Sequence, residues 1–377
     1  MATNANHENG GSTKGRSVSA KKRRSKQRAR IIIFAVELLV IVVMLVVVLK
    51  VFQTTEEVEG PQFAEIKESQ IVVNSEVEEK HEELKGYWNI ALFGVDATDG
   101  DLTKNSRSDT IMVASINQDT GEIKLVSVYR DTYLNLSNDQ YTKCNAAYKS
   151  GGAEQAMNML NMNLDLNITD FVTVGYHAVI DCVDGLDGVY IDVDSEELKH
   201  INNYQKSILR DTDINKELIM VEDTGYQLLN GLQAAAYCRI RYTAGDDFKR
   251  TERQREVIQA MADKAKTSKL NKLTDVFTKV VKNVYTSIDQ KDMMDMLGQV
   301  ANYSIVGEDG FPQRKKLATE NIGPHGSCVV PTDLKENVVW LHEFLFGVED
   351  YQVSKQVQEC NDQIKADTSA YLNRGTN

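Results

Sequence analysis

The sequence predicts a layered α/β domain with a central mixed sheet, carried behind one N-terminal transmembrane helix. Three observations predict it. After residue 87, short runs rich in β-branched residues alternate with runs of helical spacing. Two of those runs are joined by QDTG at 118–121, a hairpin turn, so the sheet must contain antiparallel neighbours. Upstream, residues 31–49 read IIIFAVELLVIVVMLVVVL, broken by a single charge at Glu37.

Residues 1–30 hold nine Lys or Arg against one acid, Glu8, with Gly, Ser and Asn between them. Such a stretch is a disordered basic tail. The apolar run that follows would span roughly 28 Å as a helix, close to the thickness of a bilayer core. Core helices seldom stay apolar around their whole circumference for five turns, and a cleaved signal would end in small residues rather than Lys50, Val51, Phe52. Residues 31–52 are therefore expected to be an uncleaved anchor. Basic residues before it and Glu56, Glu57 and Glu59 after it place the N-terminus in the cytoplasm and all that follows outside. Residues 1–52 carry ten bases and two acids, so the net −12 of the whole chain leaves −20 for the exported part. Residues 53–87, rich in Glu, read as a solvated or partly helical stalk.

The exported domain is expected over 88–305. NIALFGVDA (89–97), TIMVASI (110–116) and IKLVSVYR (123–130) are its first strands. A helix over 151–164, a strand at 171–176, a short helical segment and a strand at 189–193 come next. Helices are then expected over 228–238, 250–269, 272–287 and 290–303. Residues 306–377 form an extension packed on the domain through WLHEFLFG (340–347), with a polar, frayed end after Asn361. Five cysteines at unrelated spacings make no disulfide framework, and Cys328 with Cys360 is the one pair open to bridging.

Chemistry concentrates at 237–255, YCRIRYTAGDDFKRTERQR, where an acidic domain gathers five arginines in nineteen residues. Arg107 and Asp109 precede a strand, Arg130 and Asp131 follow one, and Asp96 ends another. Strand ends at one sheet edge are where open α/β folds bind ligands, and guanidinium forks suit phosphate oxygens. On a helix from Arg250, the spacing brings Arg250, Arg253 and Gln254 to one face while Arg255 points elsewhere. Asp96 and Asp109 beside these arginines suit a Mg²⁺ or Mn²⁺ ion that takes most ligands from water and phosphate. Six scattered histidines without HExxH or paired Cys/His spacing disfavour zinc. GGSTKGRS at 10–17 misses the P-loop pattern at Arg16, and no G-x-S-x-G elbow stands in the exported part.

NIALFGVD, RSDTIMVASI, KLVSVYRDTYL, KCNAAYKSGG, DGLDGVYIDV, LNGLQAAAYCRIRY and DDFKRTERQR, in that order over roughly residues 88–265, resemble the LytR-CpsA-Psr family of bacterial cell-envelope proteins. The resemblance implies an α/β/α sandwich with a long apolar cavity for a lipid. It further implies a membrane-anchored enzyme that moves a glycopolymer, commonly a teichoic acid or capsule, from an undecaprenyl-pyrophosphate carrier to a peptidoglycan hydroxyl. Asp96 and Asp109 match the family's metal-binding aspartates. Arg107, Arg130, Arg239 and Arg241 match its pyrophosphate-binding and catalytic arginines, with Arg250, Arg253 and Gln254 following. Tyr129 departs from the pattern, which has proline before Arg-Asp, and that leaves the backbone of the Arg130 loop open.

The expected partners are the lipid-linked glycopolymer, the peptidoglycan acceptor and the membrane. No ATP is present outside a cell, so the bond energy has to arrive on the substrate, as a lipid-linked pyrophosphate would bring it. A non-catalytic scaffold that only grips polyprenyl pyrophosphate is the alternative. Nucleic-acid binding, which the arginine-rich stretch raises, is disfavoured by an external location.

Overall fold

A computed structural model describes residues 62–79, 84–96, 101–103, 106–241 and 246–372. The basic tail and the apolar run at 31–49 lie outside them. Among the described residues no helix is long and apolar enough to cross a membrane.

The first half of the chain forms β1 (Gln62–Phe63), α1 (Ser75–Glu79), β2 (Tyr87–Val95), β3 (Ser108–Asn117), β4 (Glu122–Val128), β5 (Tyr133–Asn135), β6 (Tyr141–Lys143), α2 (Ala146–Leu164), β7 (Asp170–Val174) and α3 (Tyr176–Gly185). There follow β8 (Val189–Val193), α4 (Ser195–Asp211), β9 (Gly225–Leu229), α5 (Gly231–Tyr237), α6 (Asp246–Thr267), α7 (Leu270–Val280) and β10 (Val284–Thr286). The remainder comprises α8 (Gln290–Gly298), β11 (Ser304–Phe311), β12 (Leu317–Asn321), β13 (Ser327–Pro331), α9 (Leu334–Phe346) and α10 (Lys355–Leu372).

Seven strands make one mixed sheet in the order β1-β10-β7-β2-β3-β4-β11. The predicted hairpin pairs β3 with β4 antiparallel, whereas β2 with β7 and β4 with β11 are parallel. Alternation along the strands then sorts the side chains. Ala91, Phe93, Ile111, Val113, Val126 and Phe171 share one core with α2, α9 and α10. Leu92, Gly94, Thr110, Met112, Val172 and Val174 have the opposite parity, and all six line a cavity on the other face. That face is roofed by α6 and by a second core built from α3, α4, α5 and the antiparallel pair β8–β9.

Several elements differ from expectation for physical reasons. Part of the supposed stalk folds onto the domain, because Val77 and Leu84 among its acids are buried. Val284–Thr286, expected inside a helix, is a β-branched and aromatic triplet that bridges β1 and β7 as a strand. Leu228 and Leu229 end a strand, and the helix begins only after Asn230, whose side chain accepts from Gln233 N while Gln233 caps Asn230 N in return. Residues 362–372 of the polar end expected to fray continue the helix α10 and bury Ile364 and Thr368. All five cysteines are free, Cys328 and Cys360 included.

Candidate active site

The cavity on the second face holds about 590 Å³. Its floor is two rows of paired residues, Val174–Gly94–Thr110 and Val172–Leu92–Met112. Its roof is one stripe of α6: Arg250, Gln254, Val257, Ile258 and Met261. Those positions follow i, i+4, i+7, i+8 and i+11, so a single helix face passes from cationic to apolar over three turns. Arg130, Arg239, Arg241, Asp96 and Asp109 gather at the charged mouth. The result is a site with an ionic head and a greasy shaft.

A β-bulge aims Asp109. Gly94 pairs with Thr110 but Val95 pairs with Ser108, so Asp109 is the extra residue on β3 and turns toward the cavity. Its Oδ1 accepts from Arg130 Nη1 at 2.7 Å and its Oδ2 from Arg241 Nη2 at 3.1 Å. Arg130 Nε also donates to Asp247 Oδ2 at 3.2 Å, and Arg250 Nη2 lies 3.3 Å from Asp247 Oδ1. Arg239 stands 3.6 Å from Asp96, with its guanidinium 4.9 Å from the Tyr176 ring centre and 5.9 Å from that of Tyr204.

Four arginines meet four carboxylates here, Asp131 included at 3.8 Å from Arg130 Nε. Burial pushes the Arg250 guanidinium down to about 10, with Arg241 and Arg130 adding to the drop and Asp247 opposing it, so it stays charged at neutral pH. Burial acts on Arg130 in the same sense, but Asp109 and Asp247 outweigh it and raise that group. Burial would also raise the Asp247 carboxyl, yet Arg250, Arg130 and Arg241 hold it below the usual range. Meanwhile Arg239 Nη1 and Arg250 Nε and Nη1 are buried with no hydrogen-bond partner, as is Gln254 Oε1. Orphaned guanidinium donors at a cavity mouth mark a seat for an anion.

Of the residues singled out from sequence, Asp96, Asp109, Arg130, Arg239, Arg241, Arg250 and Gln254 line this cavity. Arg107 is exposed just before β3 and lies outside the lining. Arg253 is turned away: it is buried against α4, donating to Glu197 Oε1 at 2.7 Å and to the Ile240 carbonyl at 3.1 Å. Arg255 points elsewhere as expected, but into the protein, where it donates to Ser127 Oγ at 2.7 Å and stands 3.8 Å from Glu308. Arg255→Ala should therefore cost about 2 kcal/mol of stability, read as a shifted urea midpoint. An unchanged midpoint would show that this contact contributes nothing.

Two contributors escaped the sequence reading: Tyr176 and Tyr204 under Arg239, and the apolar stripe of α6. The stripe was findable, since Val257, Ile258 and Met261 continue the spacing of Arg250 and Gln254 on a helix otherwise charged. Tyr129 resolves the loop left open above. Its N–H donates to the Phe311 carbonyl at 2.9 Å, a bond proline could not make, and its ring meets Phe248 edge-on at 4.5 Å.

Comparison with known proteins agrees with this architecture. Residues 45–314 match the model of the LytR_cpsA_psr family. The polyisoprenyl-teichoic acid–peptidoglycan teichoic acid transferase TagU of Oceanobacillus iheyensis is 28% identical over 249 residues, 64% of this chain and 68% of that protein. TagU of Bacillus subtilis is 31% identical over 215 residues, covering 56% and 63%. The match thus spans about two thirds of the length of these curated relatives. A structure of TagT with bound octaprenyl pyrophosphate shares the fold with a TM-score of 0.52 at 21% identity, over 71% of this chain and 92% of that one. With the family model matched over most of its length, the chain belongs to the LytR_cpsA_psr family.

Proposed function

We propose that this protein is a membrane-anchored phosphotransferase that moves a glycopolymer from an undecaprenyl-pyrophosphate carrier to a peptidoglycan hydroxyl. The observation that carries this is the cavity itself: unpartnered guanidinium donors at the head of an apolar shaft. A polyprenyl pyrophosphate has the same two parts. The names of the TagU relatives and the octaprenyl pyrophosphate bound to TagT support the same substrate class. Residues 31–52 supply the anchor, in this reading, with the described domain on the outer face of the membrane.

Arg239, Arg241 and Arg250 hold the pyrophosphate, and Arg130, fixed by Asp109 and Asp247, neutralises charge on the attacked phosphoryl group. Leu92, Met112, Val257 and Met261 strip water from the prenyl chain. The acceptor oxygen forms a bond to the sugar-proximal phosphorus as the bridging P–O bond breaks. The hydroxyl proton leaves to solvent or a carboxylate, and the lipid departs as its monophosphate. Carboxylates held by arginines, such as Asp109 and Asp247, make poor bases.

Asp96 and Asp109 fit a Mg²⁺ or Mn²⁺ ion, since both offer hard oxygens at the mouth with side chains 39% and 35% exposed. Among the described residues no cluster of three or more His, Cys, Asp or Glu side chains suits a metal, so these two would act with water and phosphate. A bound divalent ion would add neutralisation of the phosphate oxygens. The defect of Asp109→Ala is expected to shrink as Mg²⁺ is raised, provided Asp96 still holds the ion; a defect indifferent to Mg²⁺ at every concentration would remove Asp109 from the metal seat.

The floor offers its own test. A Cβ at Gly94 would stand 2.8 Å from Thr110 Cβ, so Gly94→Val crowds the shaft where the first isoprene units would lie. Affinity for geranylgeranyl pyrophosphate should fall about tenfold or more, roughly 1.4 kcal/mol. Equal affinity would place the lipid elsewhere.

The experiment for the whole reading gives the purified full chain Mg²⁺, lipid-linked glycan and peptidoglycan oligomers. Glycan joined to peptidoglycan is the expected product. Lipid binding without any product would leave a scaffold, not an enzyme.

A further inference from the structure

A second cavity, about 720 Å³, opens between the β5–β6 hairpin, the turn at 322–325 and α10. Tyr141, Tyr371 and His325 supply rings, and Glu359, Gln363 and Asp367 supply oxygen acceptors and an amide. Apart from Tyr141, all of these lie beyond residue 314, where the family match ends. We propose that this groove is a saccharide subsite that seats the acceptor glycan, an assignment that rests on the transfer reading above.

The chemistry is that of sugar recognition. Tyrosine faces offer flat apolar area to the C–H face of a pyranose while carboxylates and amides take its hydroxyls. The acceptors are fixed in advance: Asp367 Oδ2 accepts from Tyr133 Oη at 3.1 Å and its Oδ1 from Gln363 Nε2 at 2.7 Å. His325 Nδ1 meets Thr142 Oγ1 at 2.9 Å and its ring stands edge-on to Tyr133 at 5.3 Å, which leaves Nε2 as the ring atom for a ligand. Gly323, at φ +50°, passes so near Tyr371 that a Cβ there would stand 2.8 Å from its hydroxyl. Fixed groups of this kind lose little entropy on binding.

Charge and position select the acceptor over the donor polymer. Asp139, Glu359 and Asp367 line the groove with no lysine or arginine in the lining itself, and among the described residues only Glu359 is met from outside, by Lys355 at 3.6 Å, so a phosphate-bearing chain is disfavoured. Tyr133 follows Arg130 by three residues, across a turn in which Thr132 N–H donates to the Tyr129 carbonyl at 2.9 Å, so at most about 10 Å of chain separates them. Lys143, two residues after Tyr141, pairs with Asp131 at 3.1 Å. One hairpin therefore borders both the groove and the pyrophosphate seat.

The test titrates the full chain, in detergent, with a β-1,4-linked N-acetylhexosamine tetrasaccharide and separately with a glycerol-phosphate oligomer. Calorimetry and transfer kinetics are read for wild type, Tyr371→Ala and the exposed Glu359→Gln. The tetrasaccharide should bind, and each variant should weaken it about fivefold or more and raise the acceptor KM. Geranylgeranyl pyrophosphate affinity and kcat should hold in both variants. No tetrasaccharide binding, binding by both variants as tight as wild type, or preference for the phosphate oligomer would overturn the subsite. Tetrasaccharide binding that depends on Glu359, in a protein that transfers nothing, would uphold the groove and overturn the transfer reading instead.

Discussion

Arg130→Ala is expected to lower transfer about a hundredfold or more while the protein stays folded, the scale seen when one preorganised donor to a developing anion is removed. The geometry gives the reason. Arg130 holds Asp109 at 2.7 Å and Asp247 at 3.2 Å, yet both carboxylates keep a second cation, Arg241 for the first and Arg250 for the second. Losing Arg130 therefore strands no buried charge, and the fall should appear in kcat. Steady-state kinetics beside a thermal melt would check it: an unchanged kcat, or a melt that collapses with the activity, would contradict a role in charge neutralisation.

Arg253→Ala should fail in the opposite manner, by about 3 to 5 kcal/mol of stability, because it leaves Glu197 buried without its cation. Glu197 is already committed. Its Oε1 accepts from Arg253 at 2.7 Å, and its Oε2 accepts from Asp194 N at 2.9 Å as half of the capping box that starts α4. Side chains of 3% and 7% exposure leave no room for water to compensate. A melting point lower by on the order of 10 °C is expected, since a domain of this size shifts by a few degrees per kcal/mol. Activity per folded molecule should survive. A pure loss of lipid affinity at unchanged stability would return Arg253 to the pyrophosphate seat.

The contrast between these two arginines shows where the sequence was legible. Arg130, Arg239 and Arg241 follow strand or helix ends, and such ends converge on one sheet edge whatever the details of packing, so their meeting could be read. Helical spacing also brought Arg250 and Gln254 together correctly. It grouped Arg253 with them because adjacent positions on a helix differ by only a part turn, and the side that wins is set by a partner 56 residues away. Asp109 was singled out by its neighbours, but the bulge that turns it inward leaves no mark in the pattern. The triplet at 284–286 was lost to a helix for a similar reason: three residues carry too little periodicity to outweigh their flanks. The C-terminal extension packs on the domain through α9 as expected, and only its end was misread, since α10 is polar over most of its surface and its burial depends on α2 and α9 already being in place.

The central claim is that arginines at the head of an apolar shaft hold a lipid pyrophosphate while an acceptor attacks its sugar-proximal phosphorus. Mass spectrometry of the lipid released during transfer by the full chain tests it most directly. The account predicts polyprenyl monophosphate, formed in step with the glycan-peptidoglycan product and lost in Arg130→Ala. Release of polyprenyl pyrophosphate would place the attack on the anomeric carbon and contradict it.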